Sequence, residues 1–241
     1  MKTHPNPTLK TALLGASLTA ILAVTASAAN INWQTPQTIS GATDVSTAGT
    51  FFGSWAPGND WGGNDRADNF PVNGVTFHAY GTDGVNFNFS GAGINMDRYN
   101  GFANPGTADA NYNHILQTAM FNWNSGGSSL TVNWSGLTAG NEYLLQAWVN
   151  DGRGGQSGSS TLTGGANVSD AVFIGNGVPG QSIIGTFVAD DVAQSFTMSP
   201  GIMLNLLQVR DLTTVVPEPS ALALAGIGAA ALIGFRRKAS N

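Results

Sequence analysis

The densest set of oxygen-bearing side chains lies between Pro57 and Asn69: Asn59, Asp60, Asn64, Asp65, Asp68 and Asn69, interleaved with Gly62 and Gly63. Calcium takes roughly six to eight oxygens from carboxylates, amides and backbone carbonyls, a set such a loop can supply. Asp60, Asp65 and Asp68 are therefore the candidate calcium ligands. The spacing is not that of an EF-hand, and the closing glutamate is missing. The competing account is a turn rich in Asx and glycine whose charges face water. Trp55 and Trp61 flank or sit within this loop. An exposed indole there would stack on a sugar ring, which makes the two tryptophans candidate carbohydrate contacts. Partly buried loop anchors are the other use of such residues.

Conventional catalytic sets are scarce. His78 reads as part of a strand and His114 as part of a helix, and no GxSxG elbow accompanies either. Gly175-Asn176-Gly177-Val178-Pro179-Gly180 fits GxGxxG, but it precedes a strand and contains Pro179, so it lacks the helix N-terminus that phosphate binding needs. Among the thirteen carboxylates between Asn30 and Thr214 only Glu142 is a glutamate, at a strand start where facing solvent is the default. An acid pair of glycosidase type needs two carboxylates brought together in space, which sequence alone does not reveal. The reading that follows is of a protein that is not an enzyme.

The elements that must position these residues are strands. Charged residues make up 10% of the 241-residue chain and glycine supplies 32 positions, a composition too apolar for disorder and too glycine-rich for a helical bundle. Val85–Phe89 and Leu130–Trp134 alternate strictly, and Asn73-Gly74 is a hairpin-type turn before Val75–Tyr80. Further strands are expected over Glu142–Asn150, Ile183–Ala189, Ala193–Met198 and Ile202–Arg210. One helix is expected over Asp109–Phe121, where Tyr112, Ile115, Leu116, Ala119 and Met120 share a face. Gly152–Gly158 and Gly164–Gly165 read as loops. The fold class is all-β: an antiparallel β-sandwich or jelly roll with one short helix, spanning 29–214. With no cysteine, disulfides play no part in it. Between Asn30 and Thr214 four basic residues oppose thirteen acidic ones, a formal charge of −9, which argues against nucleic acid as a partner.

The remaining basic residues mark the two ends. Lys2 and Lys10 precede the apolar run Thr11–Val24, and Ala26-Ser27-Ala28 supplies the small-x-small pattern that signal peptidase accepts. Residues 1–28 read as a signal peptide cleaved after Ala28, with Ala29 as the second choice. At the other end, Pro217-Glu218-Pro219 breaks the chain before the uncharged run Ala221–Phe235, and Arg236-Arg237-Lys238 follows. Fifteen residues make a helix of roughly 22 Å, short against a hydrocarbon core of about 30 Å. The basic cluster would stay cytoplasmic, leaving the body outside.

Motif, apolar helix and basic cluster together resemble the PEP-CTERM sorting domain, over residues 215–241. The resemblance implies recognition by exosortase, an integral-membrane transpeptidase, and cleavage near Pro217-Glu218-Pro219. It implies an intermediate anchored in the inner membrane of a Gram-negative bacterium, then release to the cell surface or to an extracellular matrix where polysaccharide is a partner. Within the body, Leu137–Tyr143 followed by Gln146-Ala147-Trp148 resembles the turn and tyrosine strand of extracellular sandwich modules, including carbohydrate-binding ones. There Tyr143 either anchors a corner through its hydroxyl or is a simple core residue. The leading functional expectation is a non-catalytic surface or matrix protein, with a carbohydrate-binding module as the alternative and a secreted carbohydrate-active enzyme behind both.

Overall fold

The computed structural model describes residues 28–57, 70–78, 87–91, 93–122, 129–155, 158–201 and 203–213. Its strands begin with β1 (Asn32–Trp33), β2 (Gln37–Thr38), β3 (Thr50–Trp55), β4 (Phe70–Val72), β5 (Val75–Phe77), β6 (Asn88–Ser90) and β7 (Asn95–Arg98). After the helix α1 (Ala110–Leu116) come β8 (Thr118–Phe121), β9 (Leu130–Ser135), β10 (Glu142–Val149), β11 (Ser159–Gly164) and β12 (Asn167–Val168). The last five are β13 (Val172–Phe173), β14 (Gln181–Val188), β15 (Ala193–Ser199), β16 (Met203–Leu204) and β17 (Leu206–Asp211). All their pairings are antiparallel.

Two sheets make the sandwich. One has the order β1-β14-β10-β17-β3, with β2 also on β14; the other has the order β12-β11-β15-β9-β6, with β13 on β11. Alternation explains how they meet. In β9, Leu130, Val132 and Trp134 are buried while Thr131, Asn133 and Ser135 point away. These inward side chains join Phe196, Met198 and Leu162 of the same sheet and Leu145, Ala147, Val149, Leu207 and Val209 of the first in one apolar core. Trp134, 1% exposed, is edge-on to Phe187 and Phe196 at 6.0 Å each.

The first sheet is covered on both faces. Its far face carries Trp148 and Leu206, which pack with Tyr112, Ile115 and Leu116 of α1 and Val72, Val75 and Phe77 of the β4–β5 hairpin. Trp148 Nε1–H donates to the Tyr112 hydroxyl at 2.6 Å. Burial, reinforced by Asp44, pushes that hydroxyl well above the usual tyrosine range, so it stays protonated. Beside this second core the segment 39–49 crosses the sheet as a strap. Gln208 Nε2 donates to Ser46 O (3.0 Å) and to Gln146 Oε1 (2.7 Å), and Gln146 Nε2 donates to Asp44 O (2.7 Å). Arg210 reaches the carbonyls of Thr47, Ala48 and Gly49. The strap's backbone acceptors are thereby satisfied by side chains of the sheet beneath it.

Local signals account for the turns. Asn73 and Gly74 have φ of 48° and 75°, the paired left-handed conformation that joins β4 to β5 and that Asn-Gly adopts at little strain. Tyr143, 1% exposed, accepts a hydrogen bond on its hydroxyl from Thr138 N–H at 2.9 Å, five residues upstream. Of the two roles open to it, the corner anchor is the one observed. Tyr143→Phe should strand that N–H and cost about 1–2 kcal/mol, read as a lower urea midpoint with an unchanged m-value.

Two expectations need correction, and one residue accounts for both. The helix was expected to run to Phe121, but it ends at Leu116, and Thr118–Phe121 is a strand between β7 and β16. Its start follows from Asp109, whose carboxylate caps Tyr112 N–H at 2.8 Å. The final strand, expected over Ile202–Arg210, is split into β16 and β17 at Asn205. Asn205 is fully buried, and its Nδ2 lies within hydrogen-bond range of Leu116 O (3.1 Å), Thr118 O (2.9 Å) and Asn150 O (3.0 Å). The amide thus takes up carbonyls at the helix end and at the start of β8. Ala119 and Met120 are buried either way, so helical spacing could not separate the two conformations.

Candidate functional site

The sequence places its strongest signals at the two ends, and the body is tied off just inside each. Ala29 O accepts from Gln194 Nε2 at 2.7 Å, Asn30 Oδ1 from Ala166 N–H at 2.6 Å, and Ile31, fully buried, donates to Gly164 O at 3.2 Å. Residues 29–31 therefore bind the second sheet, while Asn32–Trp33 pair with the first. Ala28 is described at the surface of this junction; Ala26 lies outside the described residues. At the other end Leu212 N–H donates to Glu142 O (2.8 Å), and Thr213 Oγ1 accepts from Glu142 N–H (3.0 Å). Pro217, Glu218, Pro219, Arg236, Arg237 and Lys238 all lie outside the described residues.

The central loop candidates divide. Asp60, Asp65, Asp68 and Trp61 lie outside the described residues. Trp55 does not, and its expected role is corrected: it is 2% exposed, with its ring 4.3 Å from that of Phe89. An indole enclosed in this way presents no face to a sugar. It belongs to the main core. Among the described residues no three His, Asp or Glu side chains are grouped to hold a metal ion, and no helix is long and apolar enough to cross a membrane.

The residues considered for catalysis are not drawn together. His114 lies against Phe70 with ring centroids 4.1 Å apart and planes tilted by 34°, and His78 is half-buried beyond β5, its carbonyl accepting from Ala56 N–H. Residues 175–180 form the loop before β14, as expected of a GxGxxG match without a helix behind it. Glu142 is exposed at the start of β10.

One charged cluster was not anticipated. Asp151 is buried and takes Arg153 through two contacts, Nε at 2.7 Å and a terminal nitrogen at 2.5 Å. The Asp151 carboxylate holds the Arg153 guanidinium above the usual arginine value. That guanidinium also lies over Phe102 (4.8 Å) and Tyr99 (5.8 Å), so it ties the loop after β10 to the segment after β7. The spacing Asp151-Gly152-Arg153 is the available signal, and it straddles the start of the stretch Gly152–Gly158 that reads as a loop.

Two hollows mark the surface near the N-terminal junction. One, of about 190 Å³, is lined by Ala28, Asn133, Asp190, Asp191, Ala193, Gln194 and Ser195. The other, of about 390 Å³, is lined by Asn32 and Trp33 of β1 and by residues 166–170 around β12. The outward face of the second sheet is uncharged: Ser90, Thr131, Thr197 and Thr163 line up across β6, β9, β15 and β11, beside a row of Asn88, Asn133 and Ser195.

Comparison with known proteins bears on the tail. A family model described as the PEP-CTERM protein-sorting motif matches residues 215–238. No curated protein and no solved structure matches the chain.

Proposed function

We propose that this chain is an exported, non-catalytic surface or matrix protein whose tail holds it briefly in the inner membrane until exosortase cuts near Pro217-Glu218-Pro219. The observation that carries the reading is the sorting motif at residues 215–238, which begins two residues after the last hydrogen-bonded tie of the body at Thr213. A signal peptidase cut after Ala28 completes the maturation. It would leave Ala29 as the first residue and keep every contact of Ala29, Asn30 and Ile31 with the second sheet. The apolar run Ala221–Phe235 is short for a permanent span, which suits a temporary hold. In this account the body reaches the cell surface or an extracellular polysaccharide matrix of a Gram-negative host.

The test is the mass of the mature protein in its own host and in the same host lacking exosortase. The expected product begins at Ala29 and ends near residues 217–219. In the deletion host, protein with its tail intact should collect in the membrane fraction. An identical, shortened product in both hosts would overturn the reading, as would a mature protein that keeps Ala221–Phe235 in the unmodified host.

A further inference from the structure

The hollow of about 390 Å³ lies at an open edge of the sandwich, where β1 of one sheet meets the β11–β12 hairpin of the other. Its volume falls within the roughly 300–1,000 Å³ typical of small-molecule sites. Trp33 lines it. The indole is fixed from behind: its Cε3 and Cζ3 atoms lie so close over Gly185 that a Cβ there would stand 2.8–2.9 Å away. Phe196 meets it edge-on at 6.1 Å, and its Nε1 is turned inward, away from solvent. A half-buried, immobilised ring therefore presents its remaining surface to the cleft.

The polar lining has spare hydrogen-bonding capacity. Asn167 Nδ2 donates to Ile31 O (3.1 Å) and to Asn32 Oδ1 (3.2 Å), which orients both amides and leaves Asn32 Nδ2 and Asn167 Oδ1 without a partner among the described residues. The Asp170 carboxylate has no hydrogen-bond partner among the described residues. The cleft thus combines an apolar ring with an amide donor, an amide acceptor and a carboxylate acceptor, and no cation lines it.

We propose that this cleft binds one residue of a neutral saccharide. A pyranose carries C–H bonds on one face and hydroxyl groups around its rim, each both donor and acceptor, so it can satisfy ring and polar groups together. An anionic sugar would meet Asp170 with nothing to balance its charge. A wholly apolar ligand would bury the two amides and the carboxylate unpaired. An organic cation would suit Trp33 and Asp170 but leave the amides unmatched. Trp55 does not line this site, and the assignment does not depend on how the tail is processed.

Saturation-transfer NMR on the full-length chain tests it, in a polyoxyethylene detergent that carries neither sugar nor choline. The probes are methyl glycosides of glucose, galactose and mannose, with galacturonate and choline as the charged comparisons. At least one neutral glycoside should bind with a Kd on the order of 1 mM, its C–H face receiving the strongest transfer. Trp33→Ala should weaken binding about tenfold or more, and Asp170→Ala or Asn32→Ala several-fold. Asn32 and Asp170 are exposed, so their variants keep the test valid if Trp33→Ala fails to fold. The proposal is overturned if no neutral glycoside shows transfer at about 50 mM. It is equally overturned by binding that Asp170→Ala and Asn32→Ala leave unchanged, or by preference for galacturonate or choline.

Discussion

Replacing Asn205 with alanine should lower the stability of the body by about 4 kcal/mol or more, a large part of the roughly 5–15 kcal/mol that holds a domain together. Asn205 is 0% exposed and its amide contacts four separate backbone groups. Its Oδ1 accepts from Asn150 N–H at 2.6 Å, while Nδ2 faces the carbonyls of Leu116, Thr118 and Asn150. Alanine would leave an N–H and carbonyls unpaired in the interior, each costing about 1–3 kcal/mol, and would open a void besides. Asn150 is coupled to the same knot, since its own side chain binds Phe102 O and Gly180 N–H. The measurement is urea unfolding, with Asn133→Ala on the exposed sheet face as a control expected to move by about 0.5 kcal/mol or less. A loss below about 1 kcal/mol for Asn205→Ala would mean that water replaces the amide at no great cost.

The second large effect concerns the tail. Glu218→Ala, or removal of Arg236-Arg237-Lys238, should abolish maturation, so that the full-length chain is the main species and little protein is released. The two changes should fail differently. Without Glu218 the chain stays correctly oriented in the membrane and uncut. Without the basic cluster the stop that retains the apolar run is lost, and the chain should become mislocalised. Both changes fall outside the described residues, beyond the last described tie at Thr213, and thermal unfolding of the body should remain within about 1–2 °C of the parent. The checks are cell fractionation, immunoblotting and a melting curve on each variant. Release of either variant at the parent's rate would show that the altered residues are not needed for maturation and would overturn the assignment.

Much of this architecture could be read from local rules. The Asn73-Gly74 turn and the alternation of Leu130–Trp134 each depend on neighbours a few residues away, and each is found where expected. Elements built over long separations were less legible. In β10, Tyr143–Val149 is buried without a break, because one face meets the second sheet and the other meets α1 and the hairpin. Such a strand shows no alternation, so the second core gave no sign of itself. Trp55 misled for a related reason: a tryptophan beside a polar loop looks the same whether its ring turns out or, as here, in against Phe89. The Trp33 cleft needed residues 32–33 and 166–170 to be brought together, which the pattern around either segment does not disclose. The tail is the opposite case, since its motif, apolar run and basic cluster are contiguous.

The position of β17 has a consequence in time. It is the last strand among the described residues, yet it lies inside its sheet, between β10 and β3, with Arg210 opposite both Leu144 and Phe51. A chain made N-terminus first presents β3 early and β10 much later, and neither can join the other directly. The first sheet stays in two pieces until β17 arrives, and the pairing of β3 with β17 is among the most distant along the chain, the kind that slows folding. When that gap finally closes, the chain has only Leu212, Thr213 and Thr214 left before the sorting motif begins at Val215. Completion of the body and delivery of its address label are therefore nearly the same event.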